Sequence, residues 1–411
     1  MQEKIKKIAS WIFITILISF VVGSISAFFL EALNFVTQER ENNFYWVILL
    51  PLGGLAIGLT YYYLSKGVEG GNNRLITEMD RPKKYLHWKM APLVLFGTIV
   101  THLFGGSAGR EGTAVQMGGA IADQAQILFK WTRFHRKRLL RMGVSAGFGA
   151  VFGTPIAGAV FAFEFARDRK YSITTILLAI LSSYLAHFIC TGLWSVGHTQ
   201  YSITIIPDFS FINAVWTIFV GVLFGLAALL FSWSKIGFTK LFNFIPFPYL
   251  RPFIGGIVIV IVVLLLGSTK YLGLGIPTIS DSFLNLQTNY DFVIKLLLTA
   301  FTLGAGFKGG EATPLFFIGA TLGNILIWFV PLPMSLLAGL GFISVFGAAT
   351  NTPIACMFMG IELFGIEGAT YYTLACASAF IISGRNSVYA TQQPLLDKFS
   401  FKILLKKDRE K

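Results

Sequence analysis

Two blocks of this chain repeat each other. Residues 148–157, Phe-Gly-Ala-Val-Phe-Gly-Thr-Pro-Ile-Ala, return at 346–355 as Phe-Gly-Ala-Ala-Thr-Asn-Thr-Pro-Ile-Ala. The same register sets Glu164 opposite Glu362. A shift of two residues sets Glu111 opposite Glu311, Thr113 opposite Thr313 and Gly119 opposite Gly319. The stretches between these matches differ in charge. Residues 130–141 hold Lys130, Arg133, Arg136, Lys137, Arg138 and Arg141, whereas residues 329–340 hold no charged residue. Basic loops stay in the cytoplasm, so the two stretches belong on opposite sides of a membrane. The repeat is therefore inverted, which calls for broken helices that meet near the bilayer midplane around an ion or substrate site.

The rest of the chain fits a membrane. Charged residues are 13% and hydrophobic residues 55%, against about 25% charged in soluble domains. The net charge of +13 is gathered at the termini and in short loops, so it reads as positive-inside topology and not as a nucleic-acid surface. Residues 8–30 are too long an apolar run for a signal peptide and read as the first membrane helix. We expect an all-α polytopic protein, with a first repeat over 1–233, a cytoplasmic linker over 234–252 (Lys235, Lys240, Arg251 and three prolines), a second repeat over 253–395, and a basic cytoplasmic tail over 396–411. Cys190, Cys356 and Cys376 form no disulfide or metal pattern. The five histidines, His87, His102, His135, His187 and His198, show no ligand spacing and read as structural. No H-E-x-x-H, nucleophile elbow or phosphate loop appears. The expectation is a protein that is not an enzyme and uses no cofactor or metal.

Residues 105–113, Gly-Gly-Ser-Ala-Gly-Arg-Glu-Gly-Thr, lie between apolar segments. An ionisable group at membrane depth is costly and points to function, which singles out Glu111. Glycines beside it leave backbone N–H groups free to face an anion at a helix N-terminus. The second repeat offers the same at Gly309-Gly310-Glu311-Ala312-Thr313-Pro314, and Gly71-Asn72-Asn73 offers a third helix start.

These motifs resemble the CLC family of anion channels and proton-coupled anion exchangers over nearly the whole length. Gly109-Arg110-Glu111-Gly112 is similar to the family signature that bears its gating glutamate. Gly153-Thr-Pro-Ile-Ala-Gly158 matches the helix that follows. Residues 307–314, Phe-Lys-Gly-Gly-Glu-Ala-Thr-Pro, stand where most members have Gly-x-Phe-x-Pro, and Tyr389 stands at the central pore tyrosine. The resemblance implies the CLC fold and a homodimer with one pore per subunit.

The departures narrow it. Asn72 replaces the central serine, Thr113 replaces the proline after Gly-Arg-Glu-Gly, and Phe165 stands where exchangers commonly carry an inner proton-transfer glutamate. Glu311 is an extra acid. This pattern resembles the bacterial fluoride/proton antiporters, the CLC-F branch. The resemblance implies fluoride export driven by inward proton flow, across a bacterial cytoplasmic membrane with both termini cytoplasmic. Glu111 is then the gating and proton-carrying residue and Glu311 couples anion to proton. Asn72, Gly109, Arg110, Gly112, Thr113, Gly310, Thr313 and Tyr389 would face the anion. The alternative is a chloride-selective channel or exchanger of the same fold.

Simpler roles stand beside these. Arg110 is expected to bond backbone carbonyls or face an aqueous rim, since adjacent helical residues point apart. Glu311 could cap its own helix. Thr113 and Thr313 could be ordinary first-turn residues, and Tyr389 an interfacial tyrosine. Glu164 and Glu362 read as structural or subunit-interface groups, and Lys308 as a vestibule cation that draws anions in.

Overall fold

Apolar runs inside a bilayer must satisfy their own backbone hydrogen bonds, and the helix does this within one segment. The computed structural model describes residues 2–129, 133–166, 171–384 and 387–392, and helices dominate these. Among the described residues, four helical spans are long and apolar enough to cross a membrane: Ile8–Asn42, Ile173–Leu193, Phe211–Asn243 and Pro248–Leu266. Lys130 of the basic loop and the tail 396–411 lie outside the described residues.

In chain order the first helices are α1 (Gln2–Asn42), α2 (Tyr45–Ile48), α3 (Leu50–Leu64), α4 (Asn72–Asp80) and α5 (Met90–Leu103). Next come α6 (Glu111–Phe129), α7 (Arg133–Phe152), α8 (Pro155–Glu164) and α9 (Ile173–Phe188). An extended segment then leads to α10 (Phe211–Asn243), α11 (Arg251–Leu266), α12 (Ile276–Asp281) and α13 (Asp291–Gly304). The chain continues through α14 (Ala312–Ile325), α15 (Met334–Thr350), α16 (Pro353–Phe364) and α17 (Ala369–Ile382).

The packing shows where the repeats divide. α1 packs on α5, α6, α7 and α9, while α10 packs on α13, α14, α15 and α17. With α5 matched to α13, α6 to α14, α7 to α15 and α9 to α17, these are the same set of neighbours. α10 therefore opens the second repeat, and the boundary falls in the segment before Phe211. This corrects the division expected at 234–252. Prolines 246, 248 and 252 give that stretch the look of a linker, but α10 is helical through Asn243 and carries Lys235 into the core. The basic stretch is likewise not an open loop over its described residues, 133–141. From Arg133 it is helix, and buried Arg136 pairs with Asp123 at 2.6 Å and Glu78 at 2.9 Å.

The repeats meet through α3 on α11, α6 on α14 and α8 on α16. The apolar stretch 142–166 breaks at Gly153 (φ 74°), and its counterpart breaks at Asn351 (φ 58°). Glycine and asparagine are the residues that adopt this left-handed conformation most readily at a helix end, and Pro155 and Pro353 then start the next helices. The matched glutamates tie the two breaks together. Glu164, ending α8, accepts from Ile354 N at 3.2 Å and Ala355 N at 2.7 Å in the first turn of α16. Glu362, on α16, accepts from Ile156 N and Ala157 N of α8, both at 2.8 Å. Each carboxylate caps the other repeat's helix, which is the structural role expected for the pair.

Glycines set the closest helix contacts. A β-carbon at Gly118 would lie 2.1 Å from Gly143 O, and one at Gly319 only 2.0 Å from Gly341 O. Backbone cannot yield as a side chain can, and overpacking costs about 1–3 kcal/mol or more. Gly319→Ala is expected to lower the detergent-solubilised protein's unfolding temperature by several degrees. Unchanged melting would show that α14 and α15 can separate freely.

Candidate functional site

Three helix starts converge on one point. α4 begins at Asn72 after Gly71, whose φ of 50° places the turn in glycine's territory. α6 begins at Glu111 and α14 at Ala312. The loops before α6 and α14 pair directly: Gly109 N–H donates to Gly310 O, and Gly310 N–H donates to Gly109 O, both at 2.7 Å. Gly112 sits where the helices touch. A β-carbon there would lie 3.0 Å from Asn72 Nδ2, 3.1 Å from Gly310 Cα and 3.6 Å from Glu311 Oε2. First-turn N–H groups have no intrahelical acceptor, so partial positive charge from three helices is directed at one region.

Glu111 is buried, and its carboxylate is bound to the other repeat. Oε2 accepts from Thr313 N at 3.2 Å and from Arg110 N at 3.0 Å, and Oε1 accepts from Thr313 Oγ1. Arg110 Nε lies 3.5 Å from Oε1. Arg110 was expected to point elsewhere. Because it precedes α6 instead of lying within it, its side chain can fold back on its neighbour. Glu111 thus acts as an anion seated on the N-terminus of α14, a position that suits negative charge.

Glu311 does not cap its own helix; no side-chain cap bond is formed there. Its Oε1 receives a hydrogen bond from Lys235 Nζ, which also donates to Val388 O at 3.0 Å. Its Oε2 is buried and unpartnered, as is Asn72 Oδ1. Lys235 is a member of this site that the sequence reading left out. Its partner lies 76 residues away, and its own neighbourhood reads as a basic linker.

Asn72, Glu311, Lys235 and Tyr389 line a cavity of about 600 Å³ that extends to Lys308, Arg251 and Glu69. Lys308 Nζ lies 4.2 Å from the centre of the Tyr61 ring. Tyr389 is buried, with its ring edge-on to Phe165 at 5.3 Å. Its segment is held to α4, where Thr391 Oγ1 donates to Asn73 O at 3.0 Å. Of the expected anion-facing residues, Asn72 and Tyr389 line this cavity, and Gly109, Arg110, Gly112, Thr113, Gly310 and Thr313 do not. The Thr113 hydroxyl lies 2.7 Å from that of Thr98, which itself donates to Val94 O. The pair fastens α6 to α5, whereas the Thr313 hydroxyl bonds Glu111. A second cavity, about 450 Å³, is lined by Gly153, His187, His198 and Glu362. Glu111 lines neither. Among the described residues no group of three or more His, Cys, Asp and Glu side chains could hold a metal.

The model of the voltage gated chloride channel family matches residues 53–384. The chain is 43% identical over 395 residues to a chloride/fluoride channel protein of Pseudomonas syringae pv. tomato, covering 94% of this chain and 87% of that one. The crystal structure of a CLC-type fluoride/proton antiporter is similar with a TM-score of 0.90 at 32% identity, over 94% of this chain and 98% of the other. A slow cyanobacterial Cl⁻/H⁺ antiporter shares the fold, with a TM-score of 0.77 at 21% identity.

Proposed function

For this chain, which belongs to the voltage gated chloride channel (CLC) family, we propose fluoride/proton antiport, with Glu111 as the gate that fluoride and protons share. One observation carries this reading. The Glu111 carboxylate occupies the donors of α14, Thr313 N and Oγ1, that an anion would use. A carboxylate holds such donors through charge-assisted bonds, roughly twice as strong as neutral ones. A proton added to Glu111 removes that advantage, the side chain leaves, and an anion takes its place. When the anion departs and the proton is lost, the carboxylate returns. One site that accepts either the carboxylate or the anion exchanges protons for anions.

Glu311 and Asn72 supply the preference for fluoride. Fluoride is small and strongly accepting, so it gains most where donors stand close. Asn72 Nδ2 and, when protonated, Glu311 Oε2 face the point marked by Gly112. Lys235 holds the other oxygen of Glu311. Lys308 and Arg251 give the cavity a positive rim. Phe165 carries no proton, which leaves Glu311 as the buried acid of the cavity wall, Glu69 being exposed. Gly109, Gly112 and Gly310 let the three helix ends approach, and Arg110 steadies the Glu111 carboxylate.

The reading places the protein in a bacterial cytoplasmic membrane, as a homodimer with cytoplasmic termini. The relative from Pseudomonas syringae is named a channel for both halides, so a selective, coupled antiporter must be separated from a passive pathway. Liposomes loaded with equal fluoride and chloride provide the test. Fluoride efflux at least about tenfold faster than chloride supports the proposal, and equal rates contradict it. Thr313→Val removes one donor to Glu111, a loss of about 1.5–3 kcal/mol for a hydrogen bond to a charged group. It is expected to shift the alkaline limb of fluoride transport to higher pH, because a less stabilised carboxylate takes up its proton more readily. The rate measured across pH checks this.

A further inference from the structure

His102, in the last turn of α5, is wholly buried. Both of its ring nitrogens meet backbone carbonyl oxygens: Nδ1 lies 2.8 Å from Thr98 O, and Nε2 lies 3.1 Å from Ala108 O. Carbonyl oxygens only accept. A neutral imidazole has one N–H and one lone pair, so it can satisfy one contact and turns a lone pair toward the other. Only the doubly protonated ring donates to both. The Thr98 contact lies within one turn of the same helix and is the shorter, so it is the one a neutral ring keeps. The Ala108 contact reaches a different element, the loop 105–110 that delivers Glu111. Ala108 immediately precedes Gly109, whose backbone pairs with Gly310.

The charged groups around this ring come from three directions. From α1, Arg40 Nη1 donates to His102 O at 3.3 Å, and Arg40 itself pairs with Glu41. From α13, buried Lys295 donates through Nζ to Tyr271 O at 2.9 Å and Gly273 O at 2.7 Å. From α6, Glu111 lies three residues past Ala108, with its carboxylate on Thr313 and Arg110. Burial of the ring and the Arg40 guanidinium oppose a positive charge here, and two carbonyl oxygens favour it. The second proton therefore binds only at low pH, and more readily while Ala108 O stays in place. By reciprocity, Ala108 O is held more firmly while that proton is present.

The geometry points to His102 as a proton-responsive positioning residue: a second proton on its ring ties the Ala108 carbonyl, and with it the Glu111 loop, to α5, and loss of that proton releases the loop. The tether is present at low pH and is lost as pH rises. Its effect on transport rests on Glu111 being the gate, but the tether itself does not.

Hydrogen exchange of the segment 105–112 in the full-length protein, corrected for the intrinsic pH dependence of exchange, tests it. Protection is expected to fall about tenfold as pH rises, the loss of one hydrogen bond to a charged donor. In His102→Gln, which cannot gain a second ring proton, protection should be low and flat across pH. A flat wild-type profile, or a pH-dependent fall that survives in His102→Gln, would overturn the inference. If that variant does not fold, the wild-type profile alone decides. Because the readout needs no transport, a failure of fluoride/proton exchange would leave the exchange result standing.

Discussion

Glu111→Gln is expected to bring proton movement down to the level of protein-free liposomes. The substitution keeps the size of the side chain and one acceptor for Thr313 N–H, so the α14 terminus stays occupied. It removes the group that binds a proton and the charge that Arg110 faces at 3.5 Å. Any anion flux that remains should no longer respond to an imposed proton gradient. Recording pH and fluoride together in one liposome preparation checks both parts. Persistent proton coupling would mean that the proton travels by a route that bypasses Glu111.

The second large effect concerns Lys235. Its side chain is about one-fifth exposed and that of Glu311 is 8% exposed, so Lys235→Gln leaves a carboxylate unpaired in a largely dry place. Breaking a fully buried pair costs roughly 3–5 kcal/mol. Screening at the cavity wall reduces this to about 1–2 kcal/mol, which corresponds to about 5–30-fold in rate or affinity. Fluoride transport by Lys235→Gln should fall by about that factor. Lys235→Gln/Glu311→Gln removes both charges and should recover part of the loss, because a neutral pair needs no compensation. Fluoride efflux for the two single variants and the double variant measures the coupling. Additive losses would show that the ion pair seen in the structure has no part in the cycle.

Much of this arrangement was legible before any coordinates, for physical reasons. A carboxylate in an apolar, glycine-rich run has few explanations, and its repetition at Glu311 gave a second marker. The TPIA block fixed the inverted repeat, and the Gly153/Asn351 difference inside it marks two left-handed helix ends. What escaped the sequence depended on partners distant in the chain. Lys235 looks like any loop lysine until α10 brings it to Glu311. Thr113 matches Thr313 in register, yet its hydroxyl bonds Thr98 of α5 where that of Thr313 bonds Glu111. Arg110 was misjudged because a helical direction was assumed for a residue that precedes the helix. The repeat boundary was misplaced because prolines near 250 mimic a linker, and only the neighbours of α10 show it to be the counterpart of α1.

The central claim, that one site exchanges fluoride for protons, is tested most directly by uphill transport. Purified protein in liposomes would be given equal fluoride on both sides and an imposed proton gradient, with a fluoride electrode in the bath. The account predicts that fluoride accumulates on the side from which protons flow, against its own developing gradient, and that it runs back when the proton gradient is collapsed. Fluoride that stays level under the gradient, while it still equilibrates freely down its own, would contradict antiport and leave a passive anion pathway.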